Sequence, residues 1–239
     1  KLMEAELRDA LVEDLDQLIR LHDRELDAEI LAALKVAAFP NGLALSAADE
    51  AGRTAHSNMV AALHAMPTLD ELAADYAAIY LNNRFGASPY ESVWLSDEHL
   101  ACDRSMFELR EIYAAAGLAA EDWRRRPDDH LVLQLLFIAH ALRCSGGPDE
   151  LRRLAAMLDE HLLRWLPDFA TRVAARAETP FFAVLGRLTF AWCEQLRELL
   201  AESLGEPRPT REEIEARLKP QRRVEAAPLA YMPGATPSW

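Results

Sequence analysis

Leu131-Val132-Leu133-Gln134-Leu135-Leu136-Phe137-Ile138-Ala139-His140-Ala141-Leu142 is apolar on nearly every side when wound into a helix. Such a helix needs neighbours to cover it all round. It is therefore expected to be the central helix of a bundle. Pro127 suits the first helical position, and Gly146-Gly147-Pro148 ends the run. Downstream, Leu151, Leu154, Leu158 and Leu162 carry a further helix that Trp165-Leu166-Pro167 should break or kink. Thr179-Pro180 starts the last long helix, whose stripe is Phe181, Leu185, Leu188, Trp192, Leu196 and Leu199, ending near Gly205.

The upstream half reads the same way. Leu7, Leu11, Leu15 and Leu18 keep helical spacing, and Ile30, Leu31 and Leu34 continue it to Phe39-Pro40-Asn41-Gly42, as one long helix or a broken pair. Ser46 with Asp49 can start another. Pro67-Thr68-Leu69-Asp70-Glu71 holds a capping box, from which Leu69, Leu72, Tyr76, Ile79 and Tyr80 form one stripe. Residues 82–97 contain Gly86 and Pro89 and no stripe, so they read as a long loop of the kind that often carries function. Met106, Leu109, Tyr113 and Ala116 mark the next helix, closed by Gly117 in a left-handed turn. Thr210 with Glu213 can cap a short helix to Leu218.

The expected fold is an all-α, single-domain bundle of about eight to ten helices over residues 1–218, followed by a proline-spotted, mobile tail over 219–239. Composition agrees, since 51% of the residues are hydrophobic and only nine of 239 are glycine. Cys102, Cys144 and Cys193 are odd in number and lack metal-like spacing, which points to buried free thiols in a reducing compartment. No run approaches the roughly 20 apolar residues of a membrane span, and Lys1-Leu2-Met3-Glu4 lacks a secretory h-region. A cytoplasmic location is expected. A net charge of −13 disfavours nucleic acid and anionic lipid, and favours a basic partner.

Two clusters could carry function. Pro89-Tyr90-Glu91-Ser92-Val93-Trp94 sets two aromatic rings and a carboxylate in the loop, just after Tyr76, Ile79 and Tyr80. Rings with polar tips suit an amphipathic peptide, and Glu91 can receive a guanidinium; equally, Tyr90 and Trp94 could plug the loop onto the helices. Asp128-Asp129-His130 falls in the first turn after Pro127, where the helix dipole favours carboxylates, and pairing with an aspartate would keep His130 charged.

Taken in order, Tyr76-Ala77-Ala78-Ile79-Tyr80, Pro89-Tyr90-Glu91-Ser92-Val93-Trp94 and Pro127-Asp128-Asp129-His130-Leu131 resemble the signature of the TorD/DmsD-type redox-enzyme maturation chaperones. The likeness extends over residues 69–192, departing at Arg126, where the family commonly has an acidic residue, and at 82–88, which lack its proline-rich run. The resemblance implies a cytoplasmic helical chaperone that binds the twin-arginine leader of a molybdopterin-containing oxidoreductase until its cofactor is inserted. It implies that Tyr76, Ile79, Tyr80, Pro89, Tyr90, Ser92, Trp94, Asp129 and His130 line or support the leader groove. Glu91, Asp128 and Asp129 would attract the leader's arginines, with His130 orienting an aspartate. It implies no stably bound cofactor, at most transient contact with the molybdopterin cofactor or a guanine nucleotide. The partners are the leader and the catalytic subunit, and members form both monomers and homodimers.

Two other classes remain at this point. A metal-dependent phosphohydrolase of the HD type would need His and Asp as metal ligands, but Asp129-His130 reverses that motif and the other histidines are scattered. A plain helical scaffold for a folded partner is the second.

Overall fold

The computed structural model describes residues 3–45, 49–96 and 101–218; Ser46, Asp97 and the tail over 219–239 lie outside them. Among the described residues there are eleven α-helices and two π-turns, with one isolated antiparallel bridge and no strand. The all-α expectation holds. Where a π-turn joins α8 to α9 the two form a single rod, which brings the number of rods to ten.

The first two helices are the broken pair, α1 (Ala5–Asp23) and α2 (Ala28–Val36), separated because Asp27 caps α2 by accepting from Ile30 N at 2.8 Å. Asp49 caps α3 (Glu50–His64). Thr68 and Glu71 form the expected capping box of α4 (Leu69–Tyr76), which continues into a π-turn, Ala77–Leu81. The stretch read as a loop contains a five-residue helix, α5 (Glu91–Leu95). It is too short to show a helical period. Then come α6 (Arg104–Ala115) and α7 (Leu131–Cys144), with Gly117 at φ +75° between them.

The second half is one rod and one spine. α8 (Pro148–Met157) runs through a π-turn, Leu158–Leu162, into α9 (Leu163–Arg176) without a break. Trp165-Leu166-Pro167 is expected to break or kink the chain; there is no break, and Pro167 lies inside α9. The ring is accommodated because regular geometry is already relaxed one turn earlier, in the π-turn. α10 (Pro180–Leu204) is capped at its end by Gly205 in the left-handed region. The compact unit extends to Arg208, and a second unit begins at Pro209 with α11 (Arg211–Leu218), opened by a Thr210–Glu213 capping box.

The spine of the first unit is α10, not α7 as expected. It packs chiefly on α9 and α3, and also on α8 and α4. Phe181, Phe182, Leu185, Trp192 and Leu196 on it are fully or almost fully buried, each contributing about 1.5–3 kcal/mol by burial. Its closest approach is at Gly186, where an added Cβ would lie 3.1 Å from Ala170 Cα of α9. By contrast α7 packs mainly on α1 and α8, and its face of Leu136, Phe137, His140, Ala141 and Cys144 is only partly covered.

Asp75 ties α4 to the start of α10. Its buried carboxylate accepts from Glu178 N, Thr179 N and Thr179 Oγ1 at 3.1, 2.7 and 2.6 Å. Removing it orphans amides that the fold has hidden from water. Asp75→Ala is expected to lower the unfolding free energy by about 3 kcal/mol in urea titrations, and a loss under about 1 kcal/mol would refute this bracing role.

Candidate functional site

The segment before α5 and the segment before α7 cap one another. Leu131 N donates to Pro89 O at 2.8 Å and Glu91 N to Asp129 O at 3.2 Å, which forms the Tyr90–His130 bridge. Asp129 Oδ2 accepts from Ser92 N at 2.9 Å and from Ser92 Oγ at 2.5 Å. In return, His130 is the N-cap of α7, its Nδ1 accepting from Val132 N at 3.0 Å. The Tyr90 ring stands edge-on to His130, with centroids 5.1 Å apart. Orphan amides of α5 are thus satisfied from the segment before α7, and Leu131 N of α7 from the segment before α5, while Val132 N is capped by its own His130.

This corrects the reading of residues 127–130. Asp128 and Asp129 precede α7 instead of lying in its first turn, and neither aspartate pairs with His130. The imidazole is an acceptor, hence neutral, and burial pushes it down to about 3. Burial likewise pushes the Asp129 carboxyl up, against the Ser92 bonds, and its Oδ1 has no partner among the described residues. Asp128 Oδ2 accepts from Arg110 Nε and Nη2 at 3.1 and 2.8 Å, while Tyr113 OH donates to Asp128 O at 3.0 Å.

Glu91 points inward from α5. One carboxylate oxygen meets His161 Nδ1 at 2.8 Å; the other accepts from Gln134 Nε2 at 3.0 Å, and Gln134 also donates to Asp129 O. Burial alone would lower the His161 imidazole, but the facing carboxylate overrides it and holds the ring above its usual value. Burial pushes Glu91 itself up, with His161 opposing. Trp94 Nε1 donates to Ser88 O at 2.8 Å, and Arg172 of α9 lies 5.5 Å over its ring. Arg172 and Arg176 also donate to Gly86 O and Phe85 O, so α9 pins the loop.

Tyr76, Ile79 and Tyr80 surround a second polar core. Thr189 Oγ1 donates to Leu185 O at 3.0 Å, so it accepts from His22 Nε2 at 2.8 Å, and His22 Nδ1 accepts from Tyr80 OH at 2.5 Å. Burial pushes His22 down to about 3 as well. The rings of Tyr76 and Tyr80 lie 4.8 Å apart, Tyr76 OH donates to Asp23 O, and Ile79 is fully buried. Arg126 joins the two groups by bonding Asp23 Oδ1 at 2.6 Å.

All the residues singled out from sequence are therefore in neighbouring, internally bonded layers. Glu91, Ser92, Asp128, Asp129, His130, Tyr76 and Ile79 are buried, whereas Tyr80, Tyr90 and Trp94 are half-buried. The three carboxylates already have partners inside the chain. As for the cysteines, only Cys193 is buried; Cys102 and Cys144 are exposed, contrary to expectation.

A cleft opens beside this knot, not on it. Its volume is about 870 Å³, and it is walled by Ile112 and Ala115 of α6 with Ala116 just after it, the Phe137, His140, Ala141 and Cys144 stripe of α7, and Glu150, Arg153, Leu154, Ala156 and Met157 of α8. Glu160 and His161 of the π-turn complete it. His161 thus has one side in the cleft and its Nδ1 on Glu91. Sequence reasoning did not find these residues. The available signal was the all-round apolarity of 131–142, which neighbouring helices leave partly uncovered. Among the described residues no group of three His, Cys, Asp or Glu converges to hold a metal ion, and no helix is long and apolar enough to cross a membrane.

The neutral histidines set an acid limit. From pH 6.5 downward the unfolded chain takes up protons that the folded rings refuse until about pH 3, so stability falls across that window. His130→Asn keeps an N-cap acceptor and removes one titrating ring. The stability lost between pH 6.5 and about pH 4 should shrink by about 3 kcal/mol in denaturant midpoints; an unchanged slope would show that His130 is protonated in the fold.

Residues 45–171, more than half of the chain, match the family model described as the nitrate reductase delta subunit. The chain is 32% identical over 144 residues to the chaperone protein TorD of Vibrio cholerae, covering 57% of this chain and 65% of the relative. It is 31% identical over 141 residues to the chaperone protein TorD of Shewanella oneidensis, covering 56% and 63%. These matches span less than two thirds of the relatives' own length. The capping knot falls largely inside the matched residues, and the chain belongs to the nitrate reductase delta subunit family.

Proposed function

We propose that this protein is a chaperone that binds the twin-arginine leader of a molybdopterin-containing oxidoreductase in the cytoplasm and holds it while the cofactor is inserted. The observation that carries the reading is the cleft between α6, α7 and α8, joined to the capping knot through the His161–Glu91 contact. A leader offers a paired-arginine segment and then an apolar run of about 7–15 residues. The cleft offers a trough of matching chemistry, with Phe137, Leu154 and Met157 as floor and Glu150 and Glu160 at its polar side. The motif residues act in this reading as support: they fix α5 and α7 so that the trough exists before the peptide arrives, which lowers the ordering cost of binding.

The net charge of −13 adds a long-range attraction for a basic segment and speeds encounter more than it tightens the complex. The catalytic subunit is the second partner in this proposal. No resident cofactor is assigned; contact with the molybdopterin cofactor or a guanine nucleotide would be transient, and leader binding should proceed in metal-free, nucleotide-free protein. The phosphohydrolase reading is the weaker one, because Asp129 Oδ2 and His130 Nδ1 are engaged by Ser92 and by Val132 N as helix caps.

Ala141 faces the cleft from the middle of its α7 stripe. Ala141→Trp should weaken a leader peptide by at least about tenfold in calorimetry, a loss of about 1.4 kcal/mol, with the helical circular dichroism unchanged. Equal affinity in the folded variant would move the binding site elsewhere.

A further inference from the structure

His161 is only 4% exposed, yet it lines the cleft. Its Nδ1 lies 2.8 Å from a Glu91 carboxylate oxygen, and its Nε2 has no partner among the described residues. A ring nitrogen almost hidden from bulk water and left open to a cavity needs a ligand atom to complete it. The proton shared by the His161–Glu91 pair decides what that atom is. With the proton on the ring, both nitrogens carry hydrogen and Nε2 donates. With it on the carboxyl, Glu91 donates to Nδ1 and the neutral ring keeps its hydrogen on Nε2, which again donates. Only when the pair has lost that proton does Nε2 become an acceptor, because the remaining hydrogen then stays on Nδ1 against the carboxylate.

We infer that His161 is the polar anchor of the α6–α7–α8 cleft: its Nε2–H donates to an open main-chain carbonyl of the apolar segment seated there, and Glu91 holds the ring in place for that bond. The inference rests on the leader-binding reading of the cleft and names the part of the leader that this residue reads. An apolar run has no acceptor on its side chains, so against Phe137, Leu154 and Met157 the atoms it must still satisfy are backbone ones. In a helical run the carbonyls are paired except over the last turn, which also carries the negative end of the helix dipole. A guanidinium has donors only and gains nothing from an N–H. The leader's arginines are thus left to Glu150 and Glu160, while His161 selects the end of the apolar run. Burial works against a charged ring, and the Glu91 carboxylate, with Glu108 of α6 and Glu160 adding to it, outweighs this. Asp129 acts on the pair through Glu91, and His140 and Cys144 of α7 with Glu150 and Arg153 of α8 face the same cleft. The donor is present below the raised value of the ring and is lost as pH rises through it.

The test is calorimetry of the full chain with a synthetic, N-acetylated leader, an Arg-Arg pair followed by an uncharged Ala/Leu run of about 12 residues, at about pH 6 and about pH 9. Affinity of the unsubstituted chain should fall about tenfold between the two. His161→Gln keeps a donor that does not titrate in this range, so its affinity should change by less than about twofold. His140 and Cys144 are present in both chains, which controls for their own titration. Glu91→Gln takes the carboxylate from the ring at nearly constant shape, and the midpoint of the pH dependence should move down; this readout decides the matter where His161→Gln does not fold. A pH dependence absent from the unsubstituted chain, unchanged in His161→Gln, or unshifted in Glu91→Gln overturns the inference and leaves the leader reading in place. A synthetic leader that binds the unsubstituted chain at neither pH overturns both.

Discussion

Two helix starts that complete each other hold this molecule's functional region together. An α-helix leaves its first amides without partners, and water cannot reach them at the buried beginnings of α5 and α7. Here Asp129 serves α5, and His130 and Pro89 O serve α7. Neither start can be satisfied without the other, so the loop and α7 must dock together. That docking carries Glu91 into the interior, where it meets His161 and Gln134. Breaking a buried pair of this kind costs about 3–5 kcal/mol because it leaves a charge uncompensated.

The consequence is a division of chemistry between the interior and the open surface. The acidic motif residues face inward and are spent on amides, an arginine, a glutamine and a histidine, while the open surface beside them is largely apolar with two glutamates. Such a motif can mark a family through residues that hold two helix starts together. Arg110 and Arg126 further offset the buried acids, through Asp128 and Asp23.

Much of the fold was legible in the sequence where local chemistry decides the outcome. Thr68 and Glu71, Thr179-Pro180 and Gly205 marked helix ends correctly because capping and left-handed turns depend on a few adjacent residues. The start of α7 was misplaced because its cap is His130, outside the usual set of Ser, Thr, Asp and Asn. α5 escaped because a single turn has no period to detect. The cleft escaped for a different reason: the apolar stripe at Phe137 and Ala141 says that something must cover it, but only the tertiary arrangement shows that α6 and α8 stand apart there. The choice of α10 over α7 as spine likewise depends on close approach at Gly186, which no stripe reveals.

The π-turn over residues 158–162 holds one residue more than a regular turn would, and this sets the rotational phase of everything before it. Deleting a single residue there would restore ordinary winding and swing α8 by roughly 100° relative to α9. Leu154 and Met157 would then turn away from Phe137, and His161 could not stay on Glu91. A one-codon length change, invisible to any comparison of composition, would erase the trough while leaving every helix intact.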